Sequence, residues 1–258
     1  MENKMNTLED LVRIIRILRS ENGCPWDRVQ THASIRMDML EEAYEAADAI
    51  DKKDMKNLCE ELGDVLLQVV FHARMAEEEG LFTLDDVVDG ICKKLVFRHP
   101  HVFGTVDARD SGQALNTWDA QKREEKGQRT AAATLDSVAR SLPALMRAEK
   151  IQDKARKAGF DWAEMGPALD KAEEEMGELR QAVEQGANVE EELGDLLFAA
   201  VKVGRFAGLD SEQALHGTCE KFIRRFRRVE ELAGGRPLDS LGLHRLEELW
   251  QQAKQDEA

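Results

Sequence analysis

Apolar residues recur every three to four positions along most of the chain. This spacing is typical of amphipathic α-helices, and the strict alternation expected of β-strands is nearly absent. The prolines lie at or near the ends of the periodic segments, where helices tolerate them. The pattern therefore predicts an all-α fold, with helices over residues 7–20, 34–51, 54–79, 84–98, 112–125, 141–157, 167–186, 188–207, 210–233 and 243–256.

The second half of the chain repeats acidic motifs of the first half in the same order. An E-E-x-x-E motif is followed in each half by an E-L-G-D motif. The acidic residues are Glu42, Glu45, Glu61 and Asp64 in the first copy, and Glu175, Glu178, Glu192 and Asp195 in the second. Self-similarity over a domain-sized period indicates duplicated tandem domains. We predict an N-terminal domain over 1–106, a partly helical linker region over 107–140, and a C-terminal domain over 141–258.

The spacing of these acids indicates a metal site. Glu175 and Glu178 share one helix face, as do Glu192 and Asp195, and a short connection makes the two helices antiparallel neighbours. Carboxylates that converge in this way repel one another unless protons or a cation compensate. Oxygen ligands favour Mg²⁺, with Mn²⁺ as an alternative. A single copy would be better explained as a solvated helix face. Both copies, however, lie in apolar surroundings, which suggests that the acids point inward.

Two other features bear on these helices. Gly63 and Gly194 lie between the acids of each E-L-G-D motif, where a mid-helix glycine predicts a close approach of helices. Downstream, Lys221, Arg224 and Arg225 form one basic helix face that suits a polyphosphate, although ion pairs with the abundant acids would explain it as well.

Composition excludes several classes of protein. Acidic residues outnumber basic ones by 51 to 36, so general binding to nucleic acid is not expected. No segment is apolar enough to span a membrane, and scattered cysteines without metal-binding spacing indicate reduced, mostly buried thiols in a cytoplasmic protein. A P-loop, a nucleophile motif and the Glu-x-x-His motif of di-iron bundles are absent from the sequence. His99 and His101 are interpreted as structural.

The chain resembles the two-domain bacterial MazG proteins, which belong to the all-α nucleoside triphosphate pyrophosphohydrolases. The resemblance covers nearly the whole chain and includes ENGCPWD, LEEAYE, EELGDVLLQVVFHA, RHPHVF, SLPALMRAEKIQ, GFDW, EEELGDLLFA, KFIRRF and LEELWQQAK. It implies an intertwined homodimer that hydrolyses NTPs and dNTPs to the monophosphate and pyrophosphate. One departure is that Cys92 and Cys219 stand where the family often has Asn or Asp, which puts sugar or base contacts from that position in doubt.

The resemblance also implies roles for individual residues. It makes Glu175, Glu178, Glu192 and Asp195 metal ligands, with Glu42, Glu45, Glu61 and Asp64 as a second candidate site. The nucleotide contacts that it implies are Lys171, Glu174, Glu191, Lys221, Arg224, Arg225 and Trp250. In the N-terminal domain, Lys94, Arg98 and Trp118 correspond to Lys221, Arg225 and Trp250. Glu174 or Glu191 is the expected proton acceptor for the attacking water. Trp250 is interpreted either as a base contact or as a core residue.

Two other functions fit the same sequence. Helical domains with relic acidic clusters would serve as a non-enzymatic interaction scaffold, and a narrower dUTPase-like enzyme would accept few nucleotides. Metal-dependent turnover of a nucleotide panel separates the three possibilities. The sequence does not predict which bases the protein prefers or which regulatory partners it has.

Overall fold

The computed structural model describes residues 5–127 and 130–257, and all regular secondary structure within these residues is helical. The α-helices are α1 Leu8–Leu18, α2 Pro25–Arg28, α3 Arg36–Asp51, α4 Met55–Glu78, α5 Leu84–Arg98, α6 Pro100–Phe103, α7 Ser111–Glu125, α8 Ala131–Asp136, α9 Ala144–Lys157, α10 Gly166–Gln185, α11 Val189–Phe206, α12 Ser211–Leu232 and α13 Gly242–Asp256. A short 3₁₀ helix, Leu238–Ser240, precedes α13. The ten predicted helices are confirmed, each within three residues at either end.

The chain divides into two compact units, residues 1–122 and 123–258. The division falls inside α7, within the segment 107–140, and the domain limits drawn from the sequence stay a prediction. In the described part of the chain, no helix combines the length and the apolar character that crossing a membrane requires.

The first unit is organised around the helical pair α3 and α4. A three-residue connection, 52–54, reverses the chain between them, and Asp54 caps α4 by accepting from the backbone N–H groups of Lys56 and Asn57. Such short connections make consecutive helices antiparallel neighbours. Helix α1 packs against α4, and the buried core between them contains Ile15, Ile35, Val70, Phe71 and Met75.

The second unit repeats this arrangement with α10 and α11. Gly186 and Asn188 adopt left-handed backbone conformations, with φ of 67° and 59°, and these turn the chain sharply between the two helices. Helix α9 packs against α11, and the amide of Gln152 donates to the Phe198 carbonyl at 2.8 Å. Helices α12 and α13 form another pair, whose core contains Val229, Ala233, Leu249 and Ala253.

Two sequence-based expectations are wrong. A Cβ added at Gly63 or Gly194 would meet no atom within 4 Å, so these glycines do not serve a close helix approach among the described residues. The thiols are free, but they are not mostly buried, because Cys59, Cys92 and Cys219 are exposed and Cys24 is half-buried. Both errors have one cause, since these positions lie on helix faces that the described residues leave uncovered.

Candidate metal and nucleotide site

Carboxylates from α10 and α11 meet on one side of the second helical pair. One oxygen each from Glu175, Glu192 and Asp195 lies within 4.8 Å of the other two. The convergence follows from the sequence, because residues three apart share a helix face and the tight turn places α11 beside α10. The expectation that the acids point inward holds only for Glu175, which is 6% exposed, whereas Glu192 is half-buried and Asp195 is exposed.

Glu178 lies at the edge of this cluster and is exposed. A hydrogen bond with the Glu175 carboxyl raises the pKa of Glu178 above its ordinary value, and burial and repulsion from Glu175 and Glu192 add to the effect. The cluster therefore carries negative charge that its own side chains do not fully compensate.

Lys171 is the cation that the chain supplies to this cluster. Its Nζ lies 2.8 Å from Glu175 and 3.0 Å from Glu174, one helical turn further along α10. Hydrogen bonds to Glu175 and then to Glu174 raise the pKa of Lys171 above its ordinary value. Glu174, a candidate proton acceptor, is thus already paired, whereas Glu191 is exposed and forms no hydrogen bond or ion pair within residues 5–127 and 130–257.

The first unit contains a matching acidic cluster on α3 and α4. Oxygens of Glu42, Glu45 and Glu61 lie within 4.8 Å of one another. Burial, followed by repulsion from Asp64 and the other acids, raises the pKa of Glu42. Asp38 occupies the position that corresponds to Lys171, four residues before the first glutamate of the cluster. The first cluster therefore lacks the lysine that partly neutralises the second.

The basic face of α12 is only partly available. Lys221 is half-buried and forms no ion pair or hydrogen bond within the described part of the chain. Arg224 and Arg225 both donate through Nε to the Glu257 carboxylate, at 3.2 Å and 2.5 Å. The sequence left open whether the basic residues pair with nearby acids. The structure contains such ion pairs for these two arginines.

Trp250 lies on α13 beside this basic face. It is half-buried and packs at the edge of the α12–α13 core, while its ring contacts Phe222 of α12 with ring centroids 5.0 Å apart. Phe222 itself is 55% exposed. The tryptophan therefore contributes to the core and also borders an open aromatic surface.

The corresponding residues of the first unit are used differently. Arg98 is 7% exposed, and its guanidinium lies over the Trp118 ring, 5.2 Å from the centroid. Lys122 also lies over this ring, with Nζ 4.5 Å from the centroid. Cations over an aromatic face are attracted by its negative quadrupole. Arg98 is thus packed against Trp118, whereas Lys94 remains exposed.

The sequence interpretation missed a largely buried ion cluster that involves the same helix as two of the site's acids. Asp161 accepts hydrogen bonds from Lys202 and Arg205, and the three side chains are 9%, 12% and 11% exposed. Lys202 and Arg205 lie on α11, the helix that carries Glu192 and Asp195. The GFDW motif contains Asp161, but only the fold reveals its basic partners.

The fold and the site together define the class of this protein: it is an all-helical protein in which two adjacent helices contribute the carboxylates of one acidic site. The family model of the MazG nucleotide pyrophosphohydrolase domain matches this chain over residues 30–103 and 168–229, and each match contains one of the two acidic clusters. The chain belongs to the MazG family.

Curated relatives extend this similarity over nearly the whole chain. A nucleoside triphosphate pyrophosphohydrolase of Escherichia coli strain K12 is 48% identical over 260 residues, which cover 98% of this chain and 99% of the relative. The nucleoside triphosphate pyrophosphohydrolase/pyrophosphatase MazG of Thermotoga maritima is 44% identical over 95% of both chains. The uncharacterized protein YabN of Bacillus subtilis is 47% identical over 95% of this chain and 51% of its own length.

Proposed function

We propose that this protein hydrolyses nucleoside triphosphates, both NTPs and dNTPs, to the nucleoside monophosphate and pyrophosphate. The observation that carries the proposal is the convergence of Glu175, Glu192 and Asp195 within 4.8 Å, in the unit that also holds the basic face of α12. The names of the relatives from E. coli and T. maritima support the same reaction. We propose a cytoplasmic location, where nucleoside triphosphates are found, and the formal charge of −15 disfavours nucleic acid as a ligand.

The residues of the cluster fit a divalent cation. Its donors are all carboxylate oxygens, which favour a hard ion such as Mg²⁺ or Mn²⁺ over softer metals. The raised pKa of Glu178 fits as well, because repulsion among unneutralised carboxylates is what a cation relieves. Glu175, Glu178, Glu192 and Asp195 are the proposed ligands. When bound, Mg²⁺ supplies charge neutralisation for the triphosphate and an activated water.

The other side chains bind and orient the nucleotide. Lys171 fixes the Glu175 carboxylate through its ion pair at 2.8 Å. Lys221, Arg224 and Arg225 are proposed to hold phosphate oxygens, since guanidinium and ammonium groups bind such oxygens strongly. Trp250 and Phe222 offer an aromatic border for the base. Glu191 is the proposed proton acceptor, because Glu174 is already paired with Lys171.

We also propose a homodimer. Large apolar side chains are exposed on the helices of each unit, among them Leu62, Leu66, Leu193, Leu197, Phe222, Ile223 and Phe226. Contiguous apolar surface on a folded chain marks an interface. Light scattering coupled to size-exclusion chromatography tests this, with a mass twice that of the 29.1 kDa chain as the expected result. A monomeric mass at micromolar concentration would refute it.

Within this enzyme, the second unit is proposed to carry most of the activity. Arg98, the first unit's counterpart of Arg225, is buried against Trp118, and Phe97 occupies the position of Arg224. Asp38 in place of Lys171 adds charge to an already acidic cluster. The first unit thus has fewer cations available for a triphosphate.

Product analysis tests the reaction itself. The protein is incubated with Mg²⁺ and a panel of NTPs and dNTPs, including dUTP, and the products are separated by ion-exchange chromatography. We expect monophosphate and pyrophosphate as the first products from several bases. Diphosphate with orthophosphate would contradict the proposal, and turnover of dUTP alone would favour the narrower enzyme. Absence of turnover with either Mg²⁺ or Mn²⁺ would favour the interaction scaffold.

A further inference from the structure

The last turn of α13 faces the basic side of α12 through a row of ion pairs. Glu257, the residue directly after α13, accepts from Arg224 Nε at 3.2 Å and from Arg225 Nε at 2.5 Å. One turn further along α12, Arg228 donates to Asp256 at 2.7 Å. One carboxylate thus engages two of the three cations that form the proposed phosphate-binding face.

The Glu257 carboxylate uses the donors that a phosphate group would need. Carboxylate and phosphate oxygens are both bound by guanidinium N–H groups, so the two compete for Arg224 and Arg225. Lys221 has no partner among the described residues and remains available to begin binding. A triphosphate carries several negative charges against one on Glu257, and it is therefore the stronger ligand.

The exposure of these ion pairs makes exchange feasible. The Arg224 side chain is 62% exposed, and the side chains of Arg225 and Glu257 are 21% and 26% exposed. Ion pairs near the surface contribute little to stability, so breaking them costs little compared with what phosphate binding returns. The Arg228–Asp256 pair lies outside the predicted nucleotide contacts.

We propose that Glu257 is an internal competitor for the triphosphate, which occupies Arg224 and Arg225 in the free enzyme and is displaced when the nucleotide binds. This inference rests on the proposed function. Glu257 then lowers the affinity for substrate without taking part in the chemical step.

The test compares wild-type protein with Glu257→Gln and with the control Glu248→Gln. Glu248 also lies on α13 and forms an exposed ion pair, with Arg245, so the control makes the same change of charge away from α12. KM and kcat are measured for one NTP, and inorganic tripolyphosphate binding is measured by calorimetry. Circular dichroism confirms that both variants keep their helices.

We expect Glu257→Gln to lower KM and the Kd for tripolyphosphate by about two- to fivefold, as the loss of a weak competing surface ion pair implies. We expect kcat of Glu257→Gln to stay unchanged. For Glu248→Gln, KM and the Kd for tripolyphosphate should equal those of the wild type. Unchanged or weaker tripolyphosphate binding in Glu257→Gln would overturn the inference, because Glu257 would then be inert or would position the arginines. If no protein releases pyrophosphate, the proposed function fails, and tripolyphosphate binding still decides the role of Glu257.

Discussion

The Asp161 carboxylate accepts two hydrogen bonds from Nη2 of Arg205, at 2.7 Å to Oδ1 and 2.6 Å to Oδ2. Lys202 donates to the same carboxylate at 3.2 Å. This contact ties the loop before α10 to α11. The buried ion cluster thereby positions the helix that presents Glu192 and Asp195.

The first prediction concerns this cluster. Asp161→Asn leaves Lys202 and Arg205 buried without a negative partner, and breaking a buried ion pair costs about 3–5 kcal/mol. We expect the free energy of unfolding of the second unit, measured by urea denaturation, to fall by about that amount. Asp153→Asn is the control, because its carboxylate is 37% exposed and pairs with Arg156 near the surface. Equal losses in the two variants would show that the Asp161 pairs contribute no more than surface ones.

The same residue predicts a dependence on pH. Burial raises the pKa of Asp161, but hydrogen bonds from Arg205 and Lys202 outweigh it and hold that pKa below its ordinary value. Because the folded pKa is depressed, the stabilisation is present above the ordinary value of about 4 and is lost as the pH falls through the folded value. The difference in unfolding free energy between wild type and Asp161→Asn should therefore shrink in acid. A difference that stays constant down to about pH 2 would contradict the assignment.

The third prediction concerns the proposed metal ligands. Glu178→Ala or Asp195→Ala should reduce pyrophosphate release by at least about a hundredfold, since even residues behind metal ligands contribute 10–100-fold. Helical content should be unchanged by circular dichroism. Because the folded pKa of Glu178 is raised, its charged form is less stable in the folded protein than in the unfolded chain, and its removal should leave thermal stability equal or higher without added metal. Full activity with an unchanged Mg²⁺ requirement would rule out the ligand assignment.

The fourth prediction compares the two acidic clusters. Glu45→Ala and Glu178→Ala are corresponding substitutions in the first and second copy, assayed on the same NTP panel. We expect Glu45→Ala to retain most of the activity. In the first unit Arg98 packs against Trp118, and Asp38 occupies the position of Lys171, which pairs with Glu175 in the second unit. A larger loss in Glu45→Ala than in Glu178→Ala would assign the activity to the first unit.

Helix periodicity in the sequence predicted all long helices because each contains several turns of repeating apolar residues. The elements Pro25–Arg28, Pro100–Phe103, Ala131–Asp136 and Leu238–Ser240 escaped detection, since one or two turns are too short to display a period. The convergence of Glu175, Glu192 and Asp195 could also be predicted from their spacing in the sequence. It requires only that the consecutive helices α10 and α11 pack side by side.

Contacts between residues distant in sequence could not be predicted from helix periodicity or from the spacing of residues. Asp161 meets Arg205 only when α11 packs beside the loop before α10, and Glu257 meets Arg224 only when α13 folds back along α12. Burial was misjudged for the cysteines and for Asp195 because an apolar run does not reveal which helix face the chain itself covers. Only the packed arrangement of the helices determines that.

Gly194 separates Glu192 from Asp195 at a point where the described residues leave open space. Glycine within a helix costs about 1 kcal/mol relative to alanine, so α11 opens locally with greater ease here than at its non-glycine positions. Backbone amides around Gly194 will therefore exchange with deuterium through brief local openings that leave the remainder of the helix intact. An ion that joins the two flanking carboxylates would suppress these openings, and hydrogen exchange would then report occupancy without any catalytic turnover.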